Sequence, residues 1–188
     1  MNIRLADFNK HVAIAGFREV KLEDVNRFFQ AVKDKTENAC VQFFDASLIA
    51  GWEHLHFAVL NTLNAFKSKA NISSSTAMET LLYASAQRQI KEAVRLIGIK
   101  PSTRHVAVLI IAKTPGQAES VLRVVSQLLG GRPDDSVVEL TDAKTDGVRK
   151  LFDLSNAELE SKLQREGFEK QALVDMVIEH MALLVTRR

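Results

Sequence analysis

Cysteine is nearly absent from this chain: Cys40 is the one thiol in 188 residues, so no disulfide can form within it. No signal-like N-terminus precedes the first regular pattern, and together these features lead us to expect an intracellular, cytoplasmic protein. The longest apolar stretch, Val106 to Ala112, falls far short of the ~20 residues a helix needs to cross a bilayer, so no membrane partner is expected. Three prolines and eight glycines are too few for a flexible tether, and no repeat or low-complexity tract occurs. With one tryptophan and one tyrosine, the chain carries no RNA-binding aromatic motif. It also lacks a Walker glycine loop, a G-x-S-x-G elbow and a dinucleotide fingerprint, so no cofactor is expected. Cys40 begins an apolar run, where a free cysteine behaves as a small hydrophobe rather than a nucleophile. His54 and His56 stand two apart on a predicted helix and point about 200° apart, so they cannot share a metal there.

What is present is ordinary globular material, 46% hydrophobic and 26% charged, of a length that suits one domain spanning residues 1–188. Strands are predicted at His11–Gly16, Val41–Phe44 and His105–Ala112, with a weaker one at Val137–Leu140. Between them Leu22–Val32 reads as a helix with a Val25, Phe28, Phe29, Val32 stripe, and Thr114-Pro115 opens another that ends at Gly130-Gly131. Lys144–Leu151 suits a short helix, and Ser155 with Glu158 has capping-box spacing. This rhythm predicts an α/β (α+β) fold of three layers, a mixed sheet flanked by helices, with a helix-rich middle.

That middle, Asp45 to Lys100, reads as three consecutive helices. Trp52, Leu55, Val59, Leu63 and Phe66 line one face of the first; Ile90, Ala93, Val94 and Ile97 repeat the pattern in the third. Between them lies a polar, basic loop from Lys67 to Ser75. The order His54-Leu55, Asn64-Ala65-Phe66, Asn71-Ile72, Met78-Glu79-Thr80-Leu81-Leu82-Tyr83-Ala84 and Gln87-Arg88-Gln89-Ile90, closed by Gly98-Ile99-Lys100, resembles the small non-enzymatic kinase-binding subunit of the KEOPS complex. In eukaryotes this family is the PRPK-binding protein, TPRKB. The resemblance implies a subunit without catalytic residues that grips an atypical kinase, reaches the threonylcarbamoyl transferase subunit through it, and helps present the CCA end of tRNA for modification of an anticodon-loop adenosine.

The net charge is only +2, but residues 132–188 hold 9 Lys/Arg against 12 Asp/Glu, so the positive excess lies in the part containing the three helices. A solvated surface explains so modest an excess as well as RNA does. Single-stranded RNA needs cations for its phosphates and planar or apolar groups for its bases. Lys67, Lys69, Arg88, Lys91 and Arg95 supply charge, and Asn71, Gln87 and Gln89 can read base edges. Ile72 and Tyr83 are either base-packing surfaces or core residues. The apolar positions from Leu173 to Val185 cover most sides of the last helix, which must therefore be covered on most sides, by its own domain or by a partner. For kinase contact, which the resemblance favours there, the candidates are Val174, Val177, Ile178, Met181 and Leu184, or the neighbouring stripe of Leu173, Leu184 and Val185. A free-standing RNA-binding module and a small intracellular enzyme remain the other readings.

Overall fold

A computed structural model describes residues 1–36, 39–163 and 167–185. The chain divides into two compact units: Met1–Ala46 with Gly98–Val137, and Ser47–Ile97 with Val138–Arg188.

The first unit is a sheet with helices on one face. Its strands are β1 (Asn2–Leu5), β2 (Lys10–Arg18), β3 (Cys40–Asp45), β4 (Val106–Ala112) and the short β5 (Arg132–Pro133). Their order is β1-β2-β4-β3, with β5 also on β2, and every described pairing is antiparallel. The α+β class therefore holds, while the sheet is antiparallel rather than mixed. The reason is the central strand: β2 and β3 run the same way and are linked by helix α1 (Val25–Lys35), but β4 inserts between them in the opposite sense. All seven residues of β4 are buried, as its unbroken Val/Ile/Leu/Ala composition requires. Alternate residues Ala13, Ala15 and Phe17 of β2 and Val106, Val108 and Ile110 of β4 share a core with α1 and with α5 (Pro115–Leu129).

Local chemistry sets the ends of these helices. Asp24 is the N-cap of α1, accepting the Arg27 N–H, so the helix starts three residues later than periodicity suggests. Thr114 caps α5 through the Gln117 N–H, with Pro115 in the first turn. The expected strand at Val137–Leu140 is instead a 3-10 turn over Asp135–Val138. That segment closes on Gly16: the Gly16 N–H donates to the Asp135 carboxylate at 2.9 Å, and its carbonyl accepts the Asp134 N–H at 2.8 Å. A Cβ at Gly16 would sit 2.3 Å from the Asp134 carbonyl oxygen, so only glycine permits this approach.

The second unit is helical: α2 (Trp52–Ser68), α3 (Thr76–Ser85), α4 (Ile90–Ile97), α6 (Asp142–Phe152), α7 (Asn156–Lys162) and α8 (Glu169–Ala182). Helices α2 and α3 pair as a hairpin, and α8 lies against α2, α3, α6 and α7. Leu55, Ala58 and Val59 of α2 and Leu81, Leu82 and Ala84 of α3 are buried with Leu173, Val177 and Met181 of α8. The capping box at Ser155 and Glu158 forms as its spacing predicts. Among the described residues no helix is long and apolar enough to cross a membrane.

Candidate functional site

The α2–α3 hairpin carries the basic residues, and its two ends are built differently. At the far end of α2, Lys69 takes the left-handed conformation, φ 57°, and terminates the helix with its N–H on the Phe66 carbonyl while the Ala70 N–H reaches Ala65. The chain then runs through Asn71, Ile72 and Ser73 to Ser75, the N-cap of α3. Glu79, one turn into α3, is wholly buried and turns its carboxylate back onto this loop. It accepts the Ile72 N–H on both oxygens at 3.0 Å and the Ser73 N–H at 2.6 Å. The Asn71 amide donates to the Ser73 carbonyl at 3.0 Å, so part of its hydrogen-bonding capacity holds the loop rather than facing outward.

At the other end of α3, Ala86 is again left-handed, φ 50°, and the turn leads through Arg88 and Gln89 into α4. The Arg88 guanidinium donates to the Leu184 carbonyl at 3.3 Å, tying this turn to the 3-10 turn Leu183–Val185 that follows α8. His54 fixes the antiparallel register: its Nδ1 accepts the Ala50 N–H at 3.1 Å and its Nε2 lies 2.7 Å from the Ala84 carbonyl, to which it donates. With both nitrogens committed and the ring buried against Phe152, His54 is a structural residue. Burial pulls its pKa down to about 4, against the raising effect of the Ala84 hydrogen bond.

The sequence candidates thus fall into two exposed clusters, Lys67 with Lys69 and Arg88 with Gln89 and Lys91, separated by the ten residues of α3, about 15 Å. Among the described residues no carboxylate forms an ion pair with Lys69, Arg88 or Lys91, whereas Arg95 is bidentate on Glu92. Tyr83 lies between the clusters but is only 3% exposed, so it is a core residue and no open stacking platform. Burial first and Glu79 second raise its hydroxyl above the usual tyrosine range, opposed by Arg88. Ile72 is half-buried. The exposed apolar groups beside the second cluster are Ile90 at 44% and Val94 at 42%, which periodicity grouped on one face with the buried Ala93 and Ile97. Glu79 was also missed, although a lone acid inside the run Thr80–Ala84 and its preceding Met78 is a visible anomaly.

The last helix requires a correction. Val174, Val177, Met181 and Leu184 are buried, as is Leu173, because α8 is surrounded by α2, α3, α6 and α7 and needs apolar side chains on most of its circumference. They are spent on the chain's own core and offer no surface to a kinase. Of that stripe Ile178 is half-buried; the exposed residues of α8 are Glu169, Lys170, Gln171, Asp175, Glu179 and Ala182, followed by Leu183. The surroundings of Val185 lie outside the described residues. Elsewhere, burial pushes the Cys40 thiol up to about 12, against a lowering by Lys10, which keeps it protonated and unreactive. Among the described residues no group of three His, Cys, Asp or Glu could hold a metal ion.

Comparison with known proteins gives this arrangement a context. A family model described as kinase binding protein CGI-121 matches residues 17–184. The regulatory protein Cgi121 of Methanocaldococcus jannaschii is 32% identical over 147 residues, which cover 78% of this chain and 84% of that protein.

Proposed function

Because the chain belongs to the CGI-121 family of kinase binding proteins, we propose that it is the non-catalytic subunit of a cytoplasmic KEOPS-type assembly, binding the atypical kinase subunit and the acceptor CCA end of tRNA. The observation that supports the RNA half most directly is the pair of exposed basic clusters at the two ends of α3, in which Lys69, Arg88 and Lys91 make no ion pair among the described residues. Lys67 and Lys69 meet phosphates at one end, and Arg88 and Lys91 at the other, so a run of several nucleotides is needed to touch both. Gln89 and the free capacity of Asn71 contact base edges, and Ile72 presents its accessible edge.

Kinase contact is placed on the outward side of the C-terminal region, where Ile178 and Leu183 stand beside Asp175 and Glu179. An accessible apolar group bordered by charge fits the anatomy of a non-obligate protein interface. The threonylcarbamoyl transferase is reached through the kinase, and the chemistry belongs to these partners. Holding the acceptor end raises the effective concentration of the anticodon loop at the modifying subunit, the benefit of any linked contact.

Fluorescence anisotropy with a labelled tRNA transcript tests the RNA half. Lys69→Glu combined with Lys91→Glu should abolish most binding while leaving co-elution with the kinase subunit intact. Equal affinity for a transcript lacking its CCA end would contradict the assignment. RNA binding without any kinase association would instead favour the free-standing RNA-binding module.

A further inference from the structure

The loop between α2 and α3 consumes its polar groups inward. Asn71 donates to the Ser73 carbonyl, the Ser73 hydroxyl accepts the Ser75 N–H at 3.2 Å, and the Ser75 hydroxyl accepts the Met78 N–H at 3.4 Å. At the root of this chain is Glu79. A fully buried carboxylate is costly unless compensated, and ordinarily a cation does so. Among the described residues no Lys or Arg pairs with Glu79; its carboxylate is held by the backbone N–H groups of Ile72 and Ser73, and it stands in the first turns of α3, where the helix dipole favours a negative charge. A carboxylate whose compensation comes from one loop's backbone dictates that loop's conformation. The loop it dictates opens with Lys69, itself held in a left-handed conformation that an L-residue adopts reluctantly, and carries Asn71 and Ile72.

We propose that Glu79 is a positioning residue for RNA: its buried carboxylate holds the Asn71–Ser75 loop so that Lys69 and Ile72 are preorganised before RNA arrives. This rests on the RNA reading above. Preorganisation raises affinity by removing the ordering cost from the binding step. Glutamine at this position keeps the size and one acceptor oxygen but loses the charge and turns its NH2 toward the Ile72 N–H in place of the second oxygen, so the anchor is weakened.

The test is a double-mutant cycle of Glu79→Gln and Lys69→Ala, read by anisotropy with a labelled tRNA transcript ending in CCA. Glu79→Gln is expected to raise the Kd about tenfold, to leave co-elution with the kinase subunit unchanged, and to lose most of its effect in the Lys69→Ala background. Wild-type affinity in Glu79→Gln, or full additivity with Lys69→Ala, would overturn the proposal while leaving the RNA reading intact. No binding by the wild-type chain would overturn both. Should Glu79→Gln fail to fold, amide hydrogen exchange on the wild type decides: Ile72 and Ser73 must exchange as slowly as the interior of α3, and fast exchange at either overturns the proposal.

Discussion

Lys69 occupies a backbone conformation that glycine adopts freely, so under the proposed RNA role stability and binding oppose each other at one residue. Left-handed backbone costs an L-residue about 1–2 kcal/mol, and glycine returns part of that as unfolded-state entropy. Lys69→Gly should therefore raise the stability of the chain by about 0.5 kcal/mol and weaken RNA binding, which urea denaturation and anisotropy would read separately. His54 provides a second residue-scale outcome. In the unfolded chain it titrates near its ordinary value of 6.5, whereas in the folded chain it stays neutral down to about 4. Its contribution is fully present above pH 6.5 and is lost as pH falls toward 4, because the unfolded state binds the proton first. The loss amounts to about 3 kcal/mol across that window. Urea midpoints measured from pH 7 to 4 should fall more steeply for the wild type than for His54→Gln, and parallel slopes would contradict the assignment.

At the scale of elements, α8 shows what periodicity conveys and what it withholds. The sequence states correctly that this helix must be covered on most sides, but not by what, and the answer is α2, α3, α6 and α7. Val177→Glu should accordingly unfold the chain, since it buries an unpaired charge, at a cost of several kcal/mol. Ile178→Glu should keep its helical circular dichroism and lose kinase association. The reverse pattern would place the interface on the buried stripe. Similar reasoning applies to Gly16→Ala, where overpacking against Asp134 and Val137 should cost about 1–3 kcal/mol without touching either binding function. Elements marked by caps and strong periodicity, such as α5, α7 and β4, were legible. β1 was not, because four residues with alternating exposure carry little pattern, and Val137–Val138 misled because two adjacent valines serve a 3-10 turn as readily as a strand. The burial of Tyr83 and the exposure of Ile90 and Val94 were not legible for one reason: helical spacing groups residues by face but cannot tell which face of a short helix its neighbours leave open.

At the scale of the molecule, the exposed charges of the helical unit are unevenly placed. The basic side chains of Lys67, Lys69, Arg88 and Lys91 lie on the hairpin and the start of α4, while Asp175 and Glu179 line the outward face of α8. If all four cations meet phosphates of a single strand, the slope of log K against log salt should be about −3. Removing Lys67 and Lys69 should halve that slope without changing kinase association, and a slope near zero would exclude phosphate contact. The family resemblance in the Asp45–Lys100 segment carried the kinase and tRNA expectations, whereas composition alone led no further than an ordinary globular domain of modest positive charge. The central claim is that this chain is a kinase-binding subunit, and size-exclusion chromatography of the purified chain mixed with the KEOPS kinase subunit of the same organism tests it most directly. Co-elution at one to one is the predicted result, and separate elution of the two proteins at micromolar concentration would contradict it.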